Sequence, residues 1–160
     1  MRHVTGIALL IVLLTACAGP TGRQAGRFVN ATPGAPMTLD ATLVRPSGPG
    51  PFPATAQLHG CGGLEAHSYR WARWFADHGY AALVVDSFGP RKLKGDCRSG
   101  PDEPPVTARF DDAFGALRYL QSLPDVKGDR IAAIGWSEGG VYAMSVINGP
   151  KLERGPRRGV

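Results

Sequence analysis

The chain has 160 residues, of which 18 are Lys or Arg and 13 are Asp or Glu, and its formal net charge is +5. The last ten residues hold four basic side chains and one acidic side chain, so the rest of the chain is close to neutral. This distribution excludes the broad basic surface of a nucleic-acid-binding protein, and no nucleic-acid partner is expected.

The first residues are typical of a bacterial export signal. Arg2 supplies a basic start, and the apolar run from Ile7 to Leu14 is too short to span a bilayer. The Leu-Thr-Ala-Cys sequence that ends this run resembles the lipobox of bacterial lipoproteins, in which the peptide is cut before a cysteine that is then lipidated. We therefore predict a signal peptide over residues 1–16 and lipidation of Cys17. An ordinary signal peptide, in which the cysteine is incidental, is the alternative.

The predicted anchor defines a localisation. A mature protein held by its lipid faces the periplasm from a membrane, and the lack of an aspartate after Cys17 favours the outer membrane. The polar, glycine-rich stretch that follows predicts a tether over residues 17–35. One domain is predicted over residues 36–148, followed by an irregular basic tail at 149–160.

The predicted domain begins with two strands and a glycine-rich loop. Residues 36–45 alternate apolar with polar side chains, as in a strand with one exposed face, and residues 53–58 predict a second strand. The sequence His-Gly-Cys-Gly-Gly at 59–63 follows directly. Such a loop is typical of one half of an oxyanion hole, because its glycines let backbone N–H groups approach a reacting carbonyl. A phosphate-binding loop is a weaker alternative, since no Lys-Ser or Lys-Thr pair follows.

A helix at residues 67–78 and a strand at residues 80–86 are predicted next. Four residues of the helix share one face, which we interpret as core packing: they are Trp71, Trp74, Phe75 and His78. The strand is nearly all apolar, as in a parallel strand buried on both faces. For Asp86, which ends it, the favoured role is capping of the next loop through backbone hydrogen bonds, and a role as an acid or in substrate binding is the alternative.

A long irregular loop at residues 87–105 precedes a predicted helix at 106–123. Loops of this length in compact domains are usually functional or mobile. Its basic residues Arg91, Lys92 and Lys94 could attract a carboxylate substrate or could form a solvated surface, and the sequence does not choose between these. The residues of the helix that are expected to face inwards are Phe110, Ala113, Phe114, Leu117 and Leu120. The alternation of strands and helices predicts an α/β domain whose parallel sheet is covered on both faces.

The most informative motif is Gly-Trp-Ser-Glu-Gly at residues 135–139. It lies between a predicted buried strand at 130–134 and a stretch that can continue as a helix. This order predicts a nucleophile elbow, a turn so tight that the surrounding backbone leaves no room for a Cβ atom at either glycine. Ser137 is therefore the candidate nucleophile, and a connecting turn without chemistry is the alternative. The candidate oxyanion donors are the backbone N–H groups of Glu138 and of Cys61 or Gly60.

In their residues and in their order, these motifs resemble the dienelactone hydrolase family of α/β-hydrolases. The resemblance extends from about Met37 to Ile147 and includes residues 58–64, 79–91 and 130–140. It implies a doubly wound, mostly parallel sheet and the hydrolysis of a small-molecule carboxylic ester or lactone, with no cofactor. The founding members of the family use a cysteine nucleophile, whereas this chain has a serine, as many relatives do.

The other members of a catalytic triad do not follow the serine. In this fold the order along the chain is serine, then Asp or Glu, then histidine. After Ser137 the sequence holds Glu138 and Glu153 as acids but no histidine. All histidines come earlier in the chain: His3, His59, His67 and His78. None is a credible general base. His59, which opens the glycine-rich loop, is expected to hold the turn of that loop through its ring nitrogens.

We therefore expect the chain to be an N-terminal part of a longer hydrolase, truncated after the elbow helix and inactive as given. The irregular basic tail favours this interpretation, as does the apolar sheet edge that the 130–134 strand would form. The alternative is a complete but degenerate relative, a lipoprotein that keeps the fold as a non-catalytic binding module. A peptidase of the same fold is a weaker alternative.

Two cysteines remain if Cys17 carries a lipid. Cys61 lies in the glycine-rich loop and Cys97 in the loop after the 80–86 strand, and these loops are expected at the carboxyl ends of neighbouring strands. An even number of cysteines in an oxidising compartment makes a disulfide between them the candidate, with two separate thiols as the alternative. No metal site is predicted, because no His or Cys lies nearby at ligand spacing.

Overall fold

The computed structural model describes residues 22–95, 97 and 106–146. The predicted signal peptide at 1–16, the lipidated Cys17, the end of the predicted loop at 98–105 and the predicted basic tail at 149–160 lie outside these residues. The strands are β1 (Arg23–Val29), β2 (Thr38–Val44), β3 (Phe52–Leu58), β4 (Ala81–Asp86) and β5 (Val126–Gly135). The helices are α1 (Ala66–Asp77), α2 (Val106–Ser122) and α3 (Glu138–Ser145), with a short 3-10 turn at Gly89–Arg91.

The five strands form one mixed sheet in the order β1-β2-β4-β3-β5. β1 and β4 are each antiparallel to β2, whereas β3 is parallel to both β4 and β5. Because β3 and β5 are parallel neighbours, the segments that follow them emerge at the same edge of the sheet. With helices on both faces of this sheet, the predicted α/β-hydrolase fold is confirmed.

The predicted tether over residues 17–35 is wrong for its central part, because residues 23–29 form β1. This strand pairs with β2 along its whole length, from Arg23 opposite Val44 to Val29 opposite Thr38. Phe28 turns into the core, where its ring stacks against that of Tyr119 at 5.8 Å. The polar and small residues that indicate a spacer are mostly on the exposed face of this edge strand, among them Arg23, Ala25 and Arg27.

The sheet separates two apolar layers. On one face α2 and α3 cover the larger core, and the five residues of α2 expected to face inwards are all buried there, which confirms the prediction. On the other face Ala72 and Ala76 of α1 pack against Ala82 and Val84 of β4. The small alanine side chains let the helix lie close to the sheet.

The prediction that the aromatic face of α1 packs inwards is wrong for Trp71, Trp74 and His78, which are exposed, and is confirmed for Phe75, which packs partly buried against the smaller core. The two tryptophans are 43% and 47% exposed, because α1 turns Ala72 and Ala76 towards the sheet. The rings contact one another instead. The Trp74 ring stacks on His78 at 3.9 Å, and Trp71 lies 6.3 Å from Trp136 beside the predicted elbow.

Among the described residues, no helix is both long and apolar enough to cross a bilayer.

Candidate active site

Ser137 lies in the strained turn between β5 and α3. Its backbone angles are φ 51° and ψ −123°, which a residue with a side chain rarely adopts. The turn is closed by two hydrogen bonds, from Gly139 N to the carbonyl of Trp136 at 2.9 Å and from Gly140 N to that of Ser137 at 2.9 Å. The serine side chain is exposed at the start of the helix. This is the backbone geometry that the Gly-x-Ser-x-Gly motif predicts.

The two glycines of the motif are required by the closeness of the surrounding backbone. A Cβ atom at Gly135 would lie 2.0 Å from the carbonyl oxygen of Gly139. A Cβ atom at Gly139 would lie 2.2 Å from the carbonyl oxygen of Leu58, at the end of β3. Neither backbone atom can move aside without opening the turn, so the expected steric reason for both glycines is confirmed.

The glycine-rich loop after β3 lies against the serine. A Cβ atom at Gly60 would be 3.3 Å from the Cβ and 3.9 Å from the Oγ of Ser137. Trp136 N donates a hydrogen bond to the Leu58 carbonyl at 3.3 Å, which ties the end of β3 to the elbow. The structure thus brings together the loop and the serine, two segments that are far apart in the sequence.

His59 holds the loop and is not placed to act as a base. Its Nε2 accepts a hydrogen bond from Ser87 N at 3.2 Å, so the ring proton is on Nδ1, which donates to the Gly60 carbonyl at 2.7 Å. Burial lowers the pKa of His59 below its usual value and keeps the ring neutral. The predicted structural role of this histidine is confirmed.

The other two described histidines bond locally around α1. His67 Nδ1 lies 3.3 Å from a carboxylate oxygen of Glu65, and the ring packs against Trp136 at 5.4 Å. His78 Nδ1 donates to the Trp74 carbonyl at 2.7 Å. In the described part of the chain no group of three His, Cys, Asp or Glu residues could hold a metal ion.

Asp86 caps the loop that follows β4, as predicted. Its Oδ1 accepts hydrogen bonds from Phe88 N at 3.0 Å and from Gly89 N at 2.8 Å. A carboxylate that satisfies two backbone donors in this way fixes the start of a turn.

Arg91 fits neither interpretation offered for the basic loop. Its guanidinium donates to both carboxylate oxygens of Asp112, at 2.7 and 2.8 Å, and also to the Ser87 carbonyl. The side chain is largely buried and fastens the loop after β4 to α2. Lys92 and Lys94 are exposed, and both interpretations of these two residues stay open.

Cys61 and Cys97 are joined by a disulfide, with their Cα atoms 4.6 Å apart. Close backbone packing lies beside it, since a Cβ atom at Gly95 would lie 2.1 Å from the carbonyl group of Gly62. The bridge and this packing hold the glycine-rich loop against the segment that follows β4.

A buried arginine behind the elbow was not found from the sequence. Arg109 of α2 is 2% exposed and donates from Nη1 to Glu138 Oε2 at 2.8 Å. Its Nη2 donates to the carbonyl of His59. A basic residue one position before the inward-facing Phe110 was the only signal of this arrangement in the sequence.

Comparisons with known proteins agree with this geometry. The sequence profile of the dienelactone hydrolase family matches residues 39–154. Acyl-coenzyme A thioesterase 1 of Mus musculus is 33% identical over 110 residues, which are 68% of this chain and 23% of that protein. The solved structure named m3DLH is 29% identical with a TM-score of 0.61, covering 80% of this chain and 54% of that one. A dienelactone hydrolase-like promiscuous phosphotriesterase from metagenomic libraries is 26% identical with a TM-score of 0.62, covering 78% and 53%.

The chain spans 23% of the length of the thioesterase and about half of each of the two solved structures. The family profile covers most of the chain, including the loop after β3, the elbow and the strands that carry them. This chain therefore belongs to the dienelactone hydrolase family.

Proposed function

We propose that this chain carries the nucleophile and the oxyanion hole of a serine hydrolase that acts on a small carboxylic ester or lactone. The observation that supports this most is the contact between the two motifs. Ser137 is exposed on a strained turn, and the loop packs so closely beside it that a Cβ atom added at Gly60 would lie 3.3 Å from the Ser137 Cβ atom.

In this proposal Ser137 Oγ attacks the substrate carbonyl. The negative charge that develops on the carbonyl oxygen needs fixed donors. Glu138 is the first residue of α3, and the N–H groups of a first helical turn have no partner within the helix. This N–H, with that of Cys61 or Gly60, would form the oxyanion hole.

The serine also needs a general base. Both ring nitrogens of His59 are engaged, so this histidine cannot take the proton of Ser137. We propose that an acid and a histidine from outside these 160 residues complete the triad. The same serine chemistry attacks thioesters, and because acyl-coenzyme A thioesterase 1 is among the matched relatives, an acyl thioester belongs beside esters and lactones in a substrate screen.

Replacing Ser137 by Ala is expected to abolish ester hydrolysis and covalent labelling by a fluorophosphonate in the full-length gene product. An activated serine reacts with this probe, whereas an unassisted hydroxyl does not. Ser145→Ala is the matched control, because this serine ends the helix that Ser137 precedes and its hydroxyl donates to the Tyr142 carbonyl. Hydrolysis that persists in Ser137→Ala would reject Ser137 as the nucleophile.

A non-catalytic binding module is the second candidate. It is favoured by the engagement of His59 in the loop, which leaves Ser137 without this base. Wild-type protein that stays unlabelled and hydrolyses no ester, lactone or thioester would support this candidate against the enzyme.

We also propose that the protein is an exported lipoprotein, anchored through Cys17 in a membrane that faces the periplasm. The Leu-Thr-Ala-Cys sequence supports this, and the disulfide suits an oxidising compartment. Mass spectrometry of the mature N-terminus is expected to find a lipid-modified Cys17, and Cys17→Ser is expected to release the protein from the membrane fraction. An unmodified cysteine within a retained N-terminal segment would contradict the proposal.

A further inference from the structure

One side chain contacts both halves of the proposed oxyanion hole from behind. Arg109 projects from α2, and its guanidinium lies between the loop after β3 and the elbow. From Nη2 it donates to the His59 carbonyl, and from Nη1 it donates to Glu138 Oε2 at 2.8 Å. These two acceptors belong to residues 59 and 138, which are far apart in the sequence.

The surroundings of the guanidinium are tightly packed. Its Cζ atom lies 4.5 Å from the ring centre of Tyr142 and 5.1 Å from that of Phe88. The Tyr142 hydroxyl donates to the second carboxylate oxygen of Glu138. Burial lowers the pKa of Arg109 and the carboxylate of Glu138 opposes that shift, while burial raises the pKa of Tyr142. The Arg109 guanidinium is a donor in any case, because arginine is not deprotonated in proteins, and a raised pKa keeps the Tyr142 hydroxyl protonated and so a donor.

Each contact is made to a residue that adjoins or carries a proposed oxyanion donor, through a peptide carbonyl at His59 and through a side-chain carboxylate at Glu138. The His59 carbonyl and the Gly60 N–H belong to one planar peptide group, so holding the oxygen fixes the direction of that N–H. Glu138 directly follows Ser137, and its own N–H is the other proposed donor. The guanidinium is planar and rigid, which makes the spacing between its two acceptors definite.

We propose that Arg109 is a positioning residue that sets the separation between the two halves of the oxyanion hole. This inference rests on the proposed function, since it assigns a role to the two donors named there. Arg109 does not touch the reacting atoms. It acts through the His59 peptide group and the Glu138 carboxylate, because misplacing an oxyanion donor weakens its interaction with the developing charge.

Hydrogen exchange tests the positioning role without depending on turnover. In Arg109→Met, amide exchange in residues 59–63 and 137–140 is expected to rise by about tenfold or more relative to the wild type. Arg45→Met is the matched control, because Arg45 also pairs with a carboxylate, that of Asp125, but before the start of β5 and so at the opposite end of the sheet. It is expected to leave both segments unchanged. Equal exchange in both variants would overturn the proposal.

Conservative variants separate positioning from general stability. Arg109→Lys keeps the positive charge but loses the planar guanidinium that donates from two nitrogens. The exchange rates in the two segments are therefore expected to lie between those of the wild type and those of Arg109→Met. If Arg109→Met does not fold, Glu138→Ala is the second variant. It removes the Arg109–Glu138 ion pair by changing the partner whose side chain is less buried. Exchange in 59–63 that stays at the wild-type rate in Glu138→Ala would contradict the proposal.

The kinetic readout distinguishes this inference from the proposed function. In the hydrolytically active protein, Arg109→Met is expected to lower kcat by about tenfold or more with little change in KM, as for an interaction that matters mainly in the transition state. A fall in kcat no larger than that of Arg45→Met would overturn the positioning role while leaving the hydrolase assignment intact. A wild type that hydrolyses nothing would reject the assignment, and the exchange experiment would still decide whether Arg109 couples the two segments.

Discussion

Replacing Gly139 by alanine is expected to lower the free energy of unfolding by more than about 3 kcal/mol, an effect typical of severe overpacking. The new Cβ atom would lie 2.2 Å from the carbonyl oxygen of Leu58 and 2.6 Å from that of His59. Both contacts are with backbone at the end of β3, so the clash is relieved only if α3 moves away from the sheet. Urea unfolding of the variant measures this loss.

The next residue provides the matched control. A Cβ atom at Gly140 would lie 3.5 Å from the Gly135 carbonyl oxygen, which is ordinary contact, and Gly140 is within α3. Gly140→Ala is therefore expected to stabilise the protein by about 0.5–1 kcal/mol, because alanine loses less backbone entropy in a helix. Similar unfolding free energies for the two variants would mean that the elbow is not packed as described.

Removing the carboxylate of Asp112 is expected to cost about 3–5 kcal/mol of stability. Asp112 is fully buried and accepts hydrogen bonds from Arg91 and from Asn30 Nδ2, the latter at 3.0 Å. In Asp112→Ala the guanidinium of Arg91, only 11% exposed in the native pair, would be left without its partner charge. The loss appears as a lower midpoint of urea unfolding.

An exposed ion pair gives the comparison for this variant. Asp77 and Arg73 of α1 pair at 3.6 Å with both side chains more than half exposed. Asp77→Ala is expected to change the unfolding free energy by less than about 0.5 kcal/mol, since solvent screens such pairs. Asp112→Asn keeps an acceptor without the charge and is expected to fall between the two. An Asp112→Ala variant as stable as Asp77→Ala would contradict the packing of Arg91.

The features that the sequence predicts well are those whose cause is local. The elbow is recognisable because two glycines at fixed distances from Ser137 answer a steric demand within a few residues. β4 is likewise recognisable as a continuous apolar run, and the inward face of α2 is recognisable from its helical period. Asp86 is predictable because its partners are two and three residues further along the chain.

The features that sequence reasoning missed depend on partners that are distant in the sequence. Arg109 meets His59 and Glu138 across 50 and 29 residues, and no period marks a buried arginine. β1 pairs with β2 along its whole length, and this partner lies beyond the segment whose composition suggests a tether. The shared face of Trp71 and Trp74 predicts core packing, but the smaller Ala72 and Ala76 occupy the space over the sheet instead.

The bridge between Cys61 and Cys97 also closes a covalent ring around α1 and β4, since its ends are 36 residues apart. Such a ring restricts the unfolded chain more than the folded one. A loop of this size is worth about 4 kcal/mol at 25 °C in the chain-entropy description of disulfides. The same polypeptide under reducing conditions therefore loses stability through its less restricted unfolded state, so unfolding free energies measured with and without a thiol reductant differ.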